Sequence, residues 1–276
     1  MADCSGIVKN MLDQICGQDL VNRVSNVLNI SSNSLYSTGY QAAETIYNTC
    51  VGVALGLVVM YFLFSVTDKV AQGQMTIEIF IPELIKLIAA AYLIDKGFEL
   101  FKIFIQIGDS IMKVNLSKTP NSSNSELINA VYQDCKGSIV RSIAYMCQFC
   151  IPYALSMVAT IVILLVSYGR ALEIFVRLAV SPLALADCFG QGLNSGGFRY
   201  LKKFLAVCLQ GLVIVGMIYI WSSISAIVIN NATQGSDALV GIGKQTKAIF
   251  EIVILNFALA GSIIKSQQLV NDVVGA

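Results

Sequence analysis

The chain has 276 residues, of which 56% are hydrophobic and 13% charged, and its formal net charge is +1. A soluble domain is about half apolar and a quarter charged, so these ionised side chains are too few to cover a water-facing globule. The balanced charge supplies no long-range field to gather nucleic acid. The absence of histidine removes imidazole as general base, proton shuttle and metal ligand.

Residues 5–30 predict one or two amphipathic helices. Ile7, Met11 and Ile15 fall four apart, and Val21, Val24 and Leu28 continue with helical spacing, while Asp13, Asp19 and Arg23 take other positions. Too polar to span, this segment is expected to lie on a membrane surface, with a break at Ser31–Ser34. Residues 1–40 thus form an N-terminal interfacial segment and 41–276 a transmembrane domain. Met1 is followed by Asp3 with no basic start or apolar run, so insertion is expected to rest on an internal helix.

The first span is 45–67, uncharged between Glu44 and Asp68–Lys69, and long enough for a hydrocarbon core that needs about 20 apolar residues. Within it Gly52-x-x-x-Gly56 is a candidate close-packing face. A second segment, 79–113, is apolar but carries charges throughout. Asp95, Glu99, Lys102, Gln106, Asp109 and Lys113 step by alternating fours and threes, which puts all six on one helical stripe. Such a stripe either lines a polar conduit or partner groove, or marks an amphipathic helix leaving the bilayer. At roughly 50 Å for 1.5 Å per residue, the segment is longer than one crossing requires. A polar loop follows at 115–125.

The run 142–169 is uncharged and contains Pro152. Segment 171–187 is shorter, carries Glu173 and Arg177, and is expected to break at Pro182. Arg170, Glu173 and Arg177 are spaced so that the carboxylate can reach both guanidinium groups, giving an internally neutralised intramembrane cluster beside a proline hinge. A Gly-rich loop at 190–197 lacks the Gly-Lys-Ser/Thr ending of a phosphate-binding loop and leads into the basic, aromatic turn Phe198–Phe204. Spans 204–230 and 249–264 complete the set, the last with Glu251 and Asn256 inside it. The expected architecture is an all-α polytopic transmembrane helix bundle of about six spans. The basic loops 113–141 and 188–203 are expected on the cytoplasmic side.

Cys147-x-x-Cys150 lies in a membrane helix rather than after a strand, so it reads as apolar packing and not redox chemistry. No nucleophile–base pair, metal cluster, nucleotide motif or cofactor site emerges, and an enzymatic role is not expected.

The block Arg170–Asp187, with Gly196–Gln210 downstream, resembles the TrbL-like polytopic channel subunit of conjugative type IV secretion systems, as found on mobile elements of Gram-positive bacteria. The resemblance is clearest over 140–230; an amphipathic N-terminus, a polar central loop and a hydrophobic C-terminal half agree by layout. It implies a multi-pass bacterial cell-membrane protein assisting DNA or protein transfer. Implied partners are other secretion-system membrane subunits, separate ATPases that supply energy, further copies in an oligomer, and the transferred DNA. Two rivals stand beside it: a permease subunit for a small solute, and a membrane scaffold with no conduit of its own. A permease predicts broken helices in repeated halves, and Pro182 has no counterpart in a second half.

Overall fold

The computed structural model describes residues 4–16, 23–24, 26–28, 36–74, 76–116, 132, 139–188, 195–233 and 242–275, and the regular elements among them are all helical. In chain order they are α1 (Cys4–Ile15), α2 (Ser37–Ala71), α3 (Ile77–Leu116), α4 (Ile139–Ala186), α5 (Gly196–Thr233), α6 (Ile242–Ile264) and α7 (Ser266–Val274). The expected break at 31–34, most of the loop at 115–125, residues 190–194 of the Gly-rich loop and residues 17–22, 25, 29 and 30 of the expected amphipathic segment lie outside the described residues.

Among the described residues, three helices are long and apolar enough to cross a membrane: Ser37–Ala71, Ser142–Ala186 and Gly196–Val228. Ile249–Ile264 and Ser266–Val274, bent by 43° at their junction, bring the number to four if the pair is one span. The expected spans 45–67, 142–169, 204–230 and 249–264 lie within α2, α4, α5 and α6. The other two take a different form. Segment 171–187 is not a separate element, because α4 runs unbroken from Ile139 to Ala186, past Arg170 and through Pro182. Pro182 has no N–H to give the Leu178 carbonyl, and the Ser181 hydroxyl donates to it instead at 2.8 Å, a substitution that lets a membrane helix keep its proline. Segment 79–113 is one helix, α3, but its charges set it apart from the three candidate spans.

The chain divides into two compact units. One takes Met1–Asn29, Ile111–Tyr168 and Gly211–Ser266; the other takes Ile30–Ser110, Gly169–Gln210 and Gln267–Ala276. In the first, α1 is amphipathic, as its spacing predicts, and has a covered apolar face. Its apolar face (Val8, Leu12, Ile15) and Cys16 pack on Tyr145 and Phe149 of α4 and on Ile249, Ile252 and Val253 of α6. Amphipathic spacing specifies that one face must be covered, and here protein covers it rather than lipid. A second core joins Val24 and Leu28 to Met112, Ile163, Ile214, Trp221, Leu259 and Ile263.

The second unit is organised on the α2–α3 hairpin. The end of α2 is a Schellman closure: Gly73 N–H donates to the Val70 carbonyl at 3.0 Å and Gln74 N–H to the Lys69 carbonyl at 3.1 Å. Gly73 takes the left-handed conformation this needs, with φ 67°. One side chain then fastens the two helices. Glu83 on α3 is buried and accepts from Lys69 at 2.5 Å, Lys86 at 2.9 Å and Ser65 at 3.2 Å. Further along, the Tyr47 hydroxyl donates to the Ile94 carbonyl at 2.5 Å. α5 begins with Ser195 as N-cap, its Oγ accepting from Phe198 N–H at 3.2 Å, so the end of the expected Gly-rich loop is a capped helix start. The core of this unit brings Ala43, Ala54 and Val58 of α2 against Ile94, Phe101 and Ile105 of α3, Ile174 and Leu178 of α4, and Phe204 of α5.

Candidate functional site

α3 carries three different faces. Consecutive residues turn by about 100°, so Ala90, Ile94, Gly97, Phe101, Ile105, Gly108 and Met112 form one sector, and all of them are buried. About 120° away lies the polar stripe, where Asp95, Glu99, Lys102, Gln106 and Lys113 are exposed. The remaining sector presents Ile103, Ile107 and Ile111, exposed and apolar. Asp109 is the stripe member nearest the buried sector, about 80° from Phe101, and it alone turns inward, at 1% exposure. Lys102 places its ammonium 5.9 Å from the Tyr40 ring centroid.

What Asp109 approaches is Arg170. The two are 61 positions apart in sequence, and their charges interact in the folded chain. Arg170 is 3% exposed. Its Nε donates to the carbonyl of Val207 at 3.1 Å and its Nη2 to that of Cys208 at 3.1 Å, so one guanidinium bridges two successive carbonyls of α5. α3 comes close at the same place: a Cβ on Gly108 would stand 3.2 Å from the Cys208 oxygen. A buried arginine thus holds two backbone acceptors of α5 and lies within electrostatic reach of a carboxylate on α3, the kinds of partner an intramembrane charge requires.

The expected triad therefore divides. Glu173 pairs with Arg177, Nη2 to Oε1 at 2.6 Å, with both side chains partly exposed. Its further partner is Gln267 of α7, whose Nε2 lies 3.2 and 3.3 Å from the two carboxylate oxygens. Arg170 is turned to α5 instead. Pro182 is buried within α4 and marks no break there. Gly52 and Gly56 stand on an open face of α2, where an added Cβ would meet nothing within 4 Å. Within the chain, α2 packs through Ala43, Tyr47, Ala54 and Val58.

Sequence reasoning missed three polar sites. Glu83 was one more charge in a charged segment, although its clamp on Lys69 spans a turn legible at Gly73. Asp109 and Arg170 come from separate motifs. The third site joins Ser156, Thr160 and Asn256 to the end of α1; its signal was a polar residue at the centre of an apolar run. Cys147 and Cys150 are exposed free thiols. Among the described residues, no group of three or more His, Cys, Asp or Glu side chains could hold a metal ion.

Long apolar helices, a buried charge supplied with partners, and a helix divided into packed, polar and apolar sectors define a membrane-embedded helical protein. The chain matches the model of the TrbL/VirB6 plasmid conjugal transfer like protein family over residues 19–182, more than half its length, and belongs to that family. It is a conjugal transfer membrane protein. No curated protein and no solved structure matches it significantly.

Proposed function

We propose that the chain is a channel subunit of a conjugative type IV secretion system in the bacterial cell membrane, with the polar sector of α3 lining or abutting the transfer path. The role is non-enzymatic, and separate ATPases of the system supply the energy. One observation carries this reading. Five ionisable or amide side chains are exposed on a helix whose other outward sector is isoleucine. Lipid does not accommodate such a row, so water or another subunit must meet it. The exposed stripe mixes Asp95 and Glu99 with Lys102 and Lys113. A mixed-sign surface holds a polyanion weakly, which suits passage or subunit contact better than retention of DNA.

The clean probe is Glu99→Leu combined with Gln106→Leu. Both sites are exposed, and both changes favour the lipid phase, so insertion should survive. Asp109 is a poor choice, because leucine there would take a counter-charge from buried Arg170. The expected result in a mating assay is a sharp fall in DNA transfer at unchanged membrane levels. Normal transfer at normal levels would remove the conduit and leave a scaffold role.

A further inference from the structure

Three polar side chains stand where a membrane helix has least use for them. Ser156 lies at the middle of the uncharged run 142–169, Thr160 one turn beyond it, and Asn256 at the middle of 249–264. All three are buried, and they hold the end of α1. Asn256 Nδ2 donates to the Ile15 carbonyl and to Ser156 Oγ, each at 3.0 Å. Ser156 Oγ donates to the Gln14 carbonyl at 3.2 Å, and Gln14 Nε2 reaches Thr160 Oγ1 at 3.5 Å.

The last carbonyls of a helix have no partner within it, and in hydrocarbon no water replaces one. Polar residues at mid-span and a helix end that needs capping therefore explain each other. The 12 residues of α1 extend it roughly 18 Å, a little over half of a ~30 Å hydrocarbon core. Its apolar face, Val8, Leu12 and Ile15, is covered by α4 and α6, while Ile7, Lys9 and Asn10 nearer its start are exposed. Beyond its end, Val24 and Leu28 pack against Ala159 and Ile163, again mid-span residues of α4. We propose that α1 is a re-entrant half-helix that enters the bilayer, stops near mid-depth between α4 and α6, and is latched there by Asn256 and Ser156.

The latch depends on its surroundings. Against lipid, Asn256 and Ser156 are the caps for these carbonyls; at the membrane surface, water caps the same groups. Removing a latch donor therefore tips α1 outward, and so does water entering the bundle. The orientation of Asn256 is fixed, since a flipped amide would set its oxygen against the Ile15 carbonyl. Its Oδ1 is buried with no hydrogen-bond partner among the described residues, so an entering water has an acceptor inside the clasp.

Cys16, buried at the end of α1, reports the position of the helix. The full-length chain, with its other cysteines replaced by serine, is reconstituted into phosphatidylcholine vesicles and exposed on both faces to a membrane-impermeant maleimide. Cys16 is expected to stay unmodified on the timescale in which the detergent-denatured chain reacts fully. Asn256→Leu and Ser156→Ala should raise the rate by about tenfold for each ~1.4 kcal/mol of capping lost. A companion chain keeping only Cys208, buried in the other unit, should remain protected in both variants. Free reaction of Cys16 in the unaltered chain, or continued protection in both variants, overturns the latch. Loss of Cys208 protection alongside Cys16 would show the whole chain opening and overturn α1 as a separable element.

Discussion

Arg170 and Arg177 are seven positions apart on one helix and illustrate opposite ways of keeping a charge. Arg177 keeps part of its side chain exposed and shares Glu173 with Gln267. An ion pair so screened contributes about 0–1 kcal/mol. Glu173→Gln should therefore leave accumulation and thermal stability nearly unchanged in detergent. Arg170 is 3% exposed, and Asp109 acts on it from α3. Arg170→Met takes the donors from the Val207 and Cys208 carbonyls and a buried positive charge from the reach of Asp109, a change expected to cost about 3–5 kcal/mol if the two charges act as a buried pair. The expected outcome is poor membrane accumulation and a lowered melting temperature. Adding Asp109→Leu removes the remaining carboxylate, so the double variant should recover much of what Arg170→Met loses. A coupling energy near zero in that double-mutant cycle would mean the two charges do not depend on each other.

At the level of elements, close approach of backbones decides what a glycine must be. A Cβ on Gly97 of α3 would stand 2.6 Å from the Tyr47 hydroxyl oxygen and 2.9 Å from Leu185 Cδ1. That hydroxyl is the one donated to the Ile94 carbonyl. Gly97→Ala should cost about 1–3 kcal/mol by overpacking, read as a lower melting temperature. Tyr47→Phe, which removes the oxygen, should recover part of that cost in the double variant. Gly52 and Gly56, which a sequence motif singles out, should tolerate alanine within the chain because their face is open. The contrast shows how far the sequence reaches. Apolar runs locate α2, α4 and α5, because a bilayer imposes length and composition on each helix separately. Spacing along one helix likewise places Asp95 to Lys113 on a single face. It does not reveal that α4 continues past Arg170, because what lets that charge stay inside is a pair of carbonyls on α5. Nor does it separate lipid from protein as the cover for α1, since both demand the same periodicity.

For the molecule as a whole, the number of crossings turns on α3. Its charges exclude it when each helix is judged alone, whereas its contacts make it the return arm of a hairpin with α2. Glu83 is fastened to Lys69 near the turn, Tyr47 to Ile94 further along, and Lys102 lies over Tyr40 beyond that. α2 is itself a candidate span, so a helix running antiparallel along it is expected to be carried back through the same slab. The buried sector of α3 faces this unit's core, its isoleucines suit lipid, and its stripe requires water or another subunit. If α3 crosses with α2, the turn at 72–74 and the later part of α3 are expected on opposite sides of the membrane. Cysteines introduced singly at Gln72 and Ser110, both exposed, should react with an impermeant maleimide from opposite faces. By the excess of Lys and Arg expected on the cytoplasmic side, the basic segment after α3 predicts Ser110 nearer the cytoplasm and Gln72 outside. In intact cells Gln72→Cys is therefore expected to label directly, and Ser110→Cys only after permeabilisation. Reaction of both from one face would make α3 a surface helix. Its stripe would then meet bulk water without any path, and normal transfer by the Glu99→Leu, Gln106→Leu variant would be expected with it.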